Sequence, residues 1–281
     1  MKYLITGYKG FIGSAFLRNN PDIDFLGLDI TDSEFDDVVD FHRVMDSIDN
    51  GRPDCIIHLA AISGIPQCNK LPLASFETNV LGTVNVLEAV NRINSDIKII
   101  LASSSAADHP THHYGAGKAC NEAIAKAYQT VNKLDIIVLR FTNVFGPFSV
   151  EKSSVVASFC KTALKEKKIY INGTGLQTRD MVHVDDICGA IKAASESRFG
   201  GRCGPIAIGS GTQISVYDIA KIVARITGAE IINLQPRPGE ALTNIVDINN
   251  AKLLLNYEPN TKIEKLIIDT VEWYVENYEI L

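Results

Sequence analysis

A doubly wound parallel α/β sheet is predicted for this chain by three observations. Residues Lys2 to Thr6 form a short apolar run, and Gly7-Tyr8-Lys9-Gly10-Phe11-Ile12-Gly13 follows at once, reading as strand, tight glycine turn and helix. A second apolar run, Phe25 to Leu28, closes on an acid, Asp29. Later apolar runs end in small or hydroxyl residues, at Leu59-Ala60-Ala61 and at Ser103-Ser104-Ser105, with segments of helical periodicity between them. Strands alternating with helical segments are the pattern of a parallel sheet, whose crossovers must pass over one of its faces.

The glycine turn comes first. Positions without side chains let backbone N–H groups and a helix N-terminus approach a pyrophosphate. The spacing is G-x-x-G-x-x-G rather than the commoner G-x-G-x-x-G, so the strand before it and the acid after it carry much of the weight. Asp29 lies 22 residues beyond Gly7, about where a ribose-binding carboxylate belongs. A carboxylate there accepts hydrogen bonds from free ribose hydroxyls and repels a 2′-phosphate, which favours NAD over NADP.

Asp40-Phe41, read as a strand end, is placed to contact adenine, and His42 to Asn50 reads as a helix. Pro53 to Ala61 is a buried strand running into Leu59, Ala60 and Ala61, where small side chains leave room for a cofactor against the backbone. His58 within it reads as a packed histidine, because no metal partner has suitable spacing. Phe76 to Val90 has apolar residues on more than one helical face, which predicts a helix buried both on the sheet and against a partner. Ile97 to Ala102 is a strand ending in the three serines, nine residues before Tyr114 at its last one, and a strand-end hydroxyl points into the ligand crevice.

Tyr114 and Lys118 are four residues apart at the start of the next helix, so phenol and ammonium share a face. A cation beside a phenol favours the phenolate, and the pair is suited to moving the proton of a substrate hydroxyl.

Bulk properties exclude several classes. The chain has 281 residues, a net charge of −6 and no Lys/Arg run, so neither a nucleic-acid surface nor an anionic membrane surface is expected. The six cysteines, Cys55, Cys68, Cys120, Cys160, Cys188 and Cys203, have no CxxC or paired ligand spacing, which predicts reduced thiols, no metal site and a cytoplasmic protein. No apolar run has the length of a membrane span.

The order of these elements resembles one family, the extended short-chain dehydrogenases/reductases, and within it the NAD-dependent nucleotide-sugar epimerase/dehydratase group. The resemblance spans nearly the whole chain: Thr6-Gly7 to Gly13, Asp40-Phe41, His58 to Ala61, Asn79-Val80-Leu81-Gly82-Thr83, the three serines, Tyr114 to Lys118, Arg140 to Pro147, Arg179 to Asp186, and Arg237-Pro238-Gly239-Glu240. It implies a Rossmann-type NAD domain over residues 1–150 and about 184–209, interleaved with a smaller α/β substrate-binding domain over about 151–183 and 210–281. Gly7, Gly10, Phe11, Ile12, Gly13, Asp29, Asp40, Phe41, Leu59, Ala60, Ala61, Asn79, Tyr114 and Lys118 are the expected cofactor contacts. Ser105 matches the family's catalytic Ser/Thr, Tyr114 its acid/base, and Lys118 the residue that binds the nicotinamide ribose and lowers the tyrosine's pKa. Arg179 and Arg237 resemble the arginines that bind a substrate diphosphate, Asn143 a residue beside the sugar or diphosphate, and Asn244, seven residues after Arg237, a pocket-limiting side chain. A homodimer built through a four-helix bundle, from the helices near Phe76 to Val90 and Tyr114 to Val131, is also implied.

Two departures from the family pattern narrow the function. Ala106-Ala107 follow Ser105 where dehydratases and decarboxylases of the group carry an acid. The loop before Tyr114 carries His109, His112 and His113, which read as a polar substrate-side loop. The leading expectation is a redox-neutral 4-epimerase acting on a UDP-hexose or UDP-N-acetylhexosamine, a nucleotide-diphosphate sugar. The alternatives are a nucleotide 4-keto-sugar reductase or dehydrogenase of the same family, and a non-catalytic dinucleotide-sensing regulator, which would have no use for Ser105, Tyr114 and Lys118.

Overall fold

The computed structural model describes residues 1–33, 36–199, 204–236 and 242–280. It divides into two compact units. The first comprises Met1–Phe141, Cys188–Ile208 and Asn249–Tyr257, the second Thr142–Ile187, Gly209–Ile248 and Glu258–Leu281. Residues 249–257 thus belong to the first unit and 142–150 to the second, on the other side of the division from where the sequence reading put them.

The first unit is a six-stranded parallel sheet. Its strands are β1 (Lys2–Thr6), β2 (Asp24–Leu28), β3 (Cys55–His58), β4 (Lys98–Ser104), β5 (Ile136–Phe141) and the strand Ile206–Ile208. They run in the order Ile206–Ile208, β5, β4, β3, β1, β2. The helices between them are α1 (Phe11–Asn19), α2 (Phe41–Gly51), α3 (Ile65–Lys70), α4 (Pro72–Phe76), α5 (Gly82–Ile93) and α6 (His113–Val131). The chain goes from β1 outward to β2 and then returns to the other side of β1 for β3, so the topological switch lies between β1 and β3. A crevice opens at the carboxyl ends of such a pair, and ligands of open α/β sheets bind there. Leu4, Ile56, Ile99 and Ile136 from the strands pack with Val44, Ile48, Val86, Val90 and Ala125 from the helices to form the core of one face. Strand Ile206–Ile208 pairs with β5 in parallel, as expected of a segment that rejoins the first domain.

The long helix predicted over Phe76 to Val90 is interrupted. Glu77–Leu81 is a π-helical turn set between α4 and α5. Such a turn holds one residue more than an α-turn and frees a carbonyl from the ladder.

Among the described residues the second unit holds three two-stranded pairings: Asn143–Phe145 with Met181–His183, Lys168–Asn172 with Glu230–Leu234, and Thr178–Arg179 with Ile214–Ser215. Helices Val155–Glu166, Val216–Thr227 and Ile263–Glu276 bury Phe159, Ile219, Val223, Ile267 and Val271 around Phe145 and Met181. Trp273, on the last long helix, packs on Phe148 and Tyr274. Among the described residues no helix is long and apolar enough to cross a membrane.

Candidate active site

The glycine turn has the geometry of an anion cradle. Gly7 adopts φ +69°, and a Cβ there would stand 2.7 Å from the Ala60 nitrogen. A Cβ on Gly13 would stand 2.6 Å from the Gly7 carbonyl oxygen, so α1 can pack this close to the turn only without a side chain. Gly10 is the N-cap of α1 and offers no side-chain cap, which leaves the first N–H groups of the helix, at Phe11 and Ile12, to an external acceptor. The Leu59 N–H donates to the Thr6 carbonyl (3.1 Å), and Leu59, Ala60 and Ala61 run half-buried past the end of β3 beside the turn. This arrangement fits the pyrophosphate of a dinucleotide.

Asp29 sits just beyond β2 and is buried. Its carboxylate accepts from the backbone N–H of Lys9 (3.0 Å), the N–H of Thr31 (3.0 Å) and the Thr31 hydroxyl (2.8 Å). About one of the roughly four lone-pair positions of a carboxylate is left for a ribose hydroxyl. Asp40 is not at a strand end: it is the exposed N-cap of α2 and accepts from the Arg43 N–H (3.1 Å). Phe41 packs against the α2–α5 core, with the Arg92 guanidinium 5.0 Å from its ring centre. Asn79, buried in the π-turn, donates to the Ile62 carbonyl (3.0 Å) and accepts from the Ile62 N–H (2.8 Å), so it acts on the crevice by fixing the loop after Ala61.

Tyr114 lies in the first turn of α6, and Lys118 is buried one turn later. The Lys118 ammonium is 6.0 Å from the Tyr114 ring centre and donates to the Ala102 carbonyl of β4 (2.8 Å). Burial pushes the Tyr114 phenol up to about 12, opposed by the Ser104 hydroxyl beside it and reinforced by Cys68. The serine found next to the phenol is therefore Ser104, one residue before the one expected. Strand alternation explains this. In β4 the Ser103 hydroxyl turns to Glu122 (2.6 Å), so Ser104, the last strand residue, faces the other way. Ser105 opens a 3₁₀ turn, Ser105–Ala107, and its carbonyl accepts from the Asp108 N–H (3.2 Å).

The histidine loop braces α6. His112 caps the helix, its Nδ1 accepting from the Gly115 N–H (3.0 Å), and its ring stacks on Tyr114 at 14°. Burial holds this imidazole below its ordinary value, as an accepting Nδ1 requires. His113 meets the Asn69 side chain through Nδ1 (2.9 Å). Arg140, on β5, donates to Glu122 of α6 through Nε (2.7 Å) and Nη2 (2.5 Å), and to Asp108 through Nη1, tying the start of the loop to the helix. Among the described residues no three His, Cys, Asp or Glu side chains converge as a metal site. Cys55, Cys68, Cys120, Cys160 and Cys188 form no disulfide among the described residues, and Cys203 lies outside them.

In the second unit Asp180, which sequence reasoning passed over, is the organising residue. It is fully buried, and its carboxylate accepts from the Ser210 N–H (2.8 Å), the Ser210 hydroxyl (2.9 Å), the Gly211 N–H (3.2 Å) and the Val246 N–H (3.4 Å). Its carbonyl accepts from the Asn143 side chain (3.0 Å), and its N–H donates to the Asn244 carbonyl (2.8 Å). Two expected substrate residues, Asn143 and Asn244, are thus held to one point. Arg179, next in the chain, donates to the Thr178 carbonyl (2.8 Å). Arg237 lies outside the described residues. Asp180 stands between two short strands, Thr178–Arg179 and Met181–His183, and a carboxylate buried there needs several donors.

Residues 3–209 match the family described as the NAD dependent epimerase/dehydratase family. A UDP-glucuronate 4-epimerase of Thermodesulfobacterium geofontis is 30% identical, over 99% of this chain and 98% of its own length. Among solved structures, a UDP-glucose 4-epimerase from Thermotoga maritima has a TM-score of 0.89 at 26% identity, over 99% of this chain and 100% of that one. A UDP-glucuronic acid 4-epimerase from Bacillus cereus, solved with UDP-glucuronic acid and NAD, has a TM-score of 0.87 at 27% identity, over 98% and 99%. On the span matched, and with the glycine cradle and the Tyr114–Lys118 pair in place, this chain belongs to the NAD-dependent epimerase/dehydratase family and is an NAD-dependent enzyme.

Proposed function

We propose that the enzyme interconverts the C4 epimers of a UDP-linked hexose or N-acetylhexosamine through a transient 4-keto sugar. The observation that carries this reading is the Tyr114 phenol, enclosed beside a strand-end serine and one helical turn from Lys118. The first unit is the cofactor domain and the second the substrate domain. Tyr114 accepts the proton of the C4 hydroxyl as the carbinol becomes a ketone, and returns it to O4 when the carbinol re-forms with the opposite configuration. Bound NAD supplies the hydride acceptor for the first half and the donor for the second. Lys118 and the glycine cradle hold the cofactor, and the ammonium favours the phenolate that Tyr114 must briefly become. Ser105 holds the substrate oxygen in line. Asn143, Arg179 and Arg237 receive the sugar and its diphosphate, a dianion matched by planar guanidiniums. Asn244 limits the pocket, and its modest side chain admits an N-acetyl group.

Purified enzyme is therefore expected to equilibrate a 4-epimer pair, followed by NMR over a panel of UDP-sugars, with no added reductant. Stoichiometric consumption of NADH or NADPH would overturn the epimerase reading in favour of a reductase. Rejection of UDP-GlcNAc with full turnover of UDP-glucose would overturn the assignment of Asn244.

The enzyme is read as a cytoplasmic homodimer. Six cysteines with no CxxC or paired spacing support the compartment, and a nuclear or exported location of a tagged chain would contradict it. Leu73, Phe76 and Leu81 leave apolar surface exposed on α4 and the π-turn, at 72, 37 and 45%. Ala123, Ala127 and Val131 do the same on α6, and two copies of these faces complete a four-helix bundle. Light scattering at micromolar concentration is expected to give twice the chain mass; the mass of one chain would sink the dimer.

A further inference from the structure

His58 takes no part in the chemistry proposed above, yet both of its ring nitrogens are engaged by buried hydroxyls. It ends β3, at the topological switch beside β1, and is 3% exposed. Its Nδ1 lies 2.7 Å from the Thr6 hydroxyl and its Nε2 lies 3.1 Å from the Thr83 hydroxyl.

Counting protons fixes the tautomer. The Thr83 hydroxyl donates to the Asn79 carbonyl (2.7 Å), so its one hydrogen is spent and it can only accept from His58. Nε2 therefore carries the ring hydrogen and Nδ1 is the acceptor. Thr6 donates to that Nδ1, while its oxygen accepts from the Ala60 N–H (3.2 Å). Asn121 closes the chain, giving one amide hydrogen to the Asn79 carbonyl (2.8 Å) and the other to Thr83 (3.0 Å). The Asn79 carbonyl takes two side-chain donors because it lies in the π-turn, where the helical ladder is interrupted. Burial, with the nearby Lys118 charge, pushes His58 down to about 3, so the ring stays neutral as this pattern demands.

The network links three parts of the proposed site. Thr6 immediately precedes Gly7, Ala60 forms the wall of the cradle, and Asn121 follows Lys118 by three residues on α6. We infer that His58 is a positioning residue: a neutral Nε2–H imidazole that holds the cofactor cradle in register with the helix carrying Tyr114 and Lys118. The inference rests on the reading of Tyr114 and Lys118 as the proton-transfer pair. A packing role alone would need neither a fixed tautomer nor a continuous chain of hydrogen bonds from the glycine turn to α6.

The test uses the full-length, NAD-loaded enzyme with Thr83→Val, His58→Phe, the double variant and Thr83→Ser. Each of the first two is expected to lower kcat by about tenfold or more with the KM for the sugar nucleotide changed by less than about twofold, and the double variant is expected to be no more than about twofold worse than the poorer single, as coupled residues behave. Thr83→Ser, which keeps the hydroxyl, is expected to recover at least about half of the rate. ¹⁵N NMR of the unsubstituted enzyme is expected to show His58 protonated at Nε2, with no titration between about pH 5 and about pH 8. A protonated ring or the Nδ1–H tautomer would overturn the network. Additive losses, a shift confined to KM, or unchanged kcat in Thr83→Val would overturn the positioning role, and that near-isosteric variant decides the matter if His58→Phe does not fold. If no sugar turns over, NAD affinity replaces kcat: a loss of about fivefold or more in Thr83→Val supports the coupling, and unchanged affinity overturns it. The spectrum and the affinity are thus read independently of the sugar chemistry.

Discussion

Tyr114→Phe is expected to lower turnover by about a thousandfold, within the range that one positioned acid/base contributes, with the fold and the bound cofactor retained. The ring of Phe fills the same space against His112, so only the proton route is lost. Because burial pushes the phenol up to about 12, the hydroxyl is protonated in the resting protein and needs local help to ionise. The Ser104 hydroxyl beside the phenol gives such help, and Lys118 is proposed to add to it. Ser104→Ala should therefore move the rising limb of the pH–rate profile to higher pH, whereas Ser105→Ala should lower the rate without moving it. A Tyr114→Phe enzyme within about tenfold of the unsubstituted rate would show that another group moves the proton.

Asp180→Ala is expected to be the most costly substitution to stability in the second unit. Removing the carboxylate leaves the Ser210 N–H, the Gly211 N–H and the Val246 N–H without an acceptor inside the protein. Buried donors left unpaired cost about 1–3 kcal/mol each when water cannot reach them. The Gly209 backbone packs on this carboxylate so closely that a Cβ there would stand 2.7 Å from its oxygen. Urea unfolding measures the loss. A change below about 1 kcal/mol, the scale of an ordinary substitution, would mean that solvent satisfies these donors.

Much of the first unit was legible because its signals are local. A strand, three glycines and a helix lie within the first 19 residues, and φ > 0 at Gly7 together with the close approach at Gly13 demand those glycines. Tyr114 and Lys118 fall on one helix face by spacing alone. Features that depend on distant partners were harder to see. The π-turn at Glu77–Leu81 reads in sequence as unbroken helix, because what sustains it is Asn121 on α6 and the Ile62 backbone. Asp40 looked like a strand-end acid but caps α2, since the segment before it turns instead of pairing. The choice between Ser104 and Ser105 depended on where β4 ends, which is set by its pairing with β5 as far as Ser104 and Phe141. Asp180 was hidden in the same way: its donors lie 30 to 66 residues away in the chain.

Asp29 joins two properties that are usually considered apart. Its carboxylate is the group proposed to disfavour a phosphorylated ribose, and the same two oxygens fasten Lys9 in the glycine turn and Thr31 in the loop beyond β2. Replacing it to admit a 2′-phosphate would also release the glycine turn that it anchors. Cofactor preference is therefore not a freely adjustable trait of this scaffold: an evolutionary or engineered route to the phosphorylated dinucleotide has to supply a new anchor for Lys9 and Thr31 in the same step.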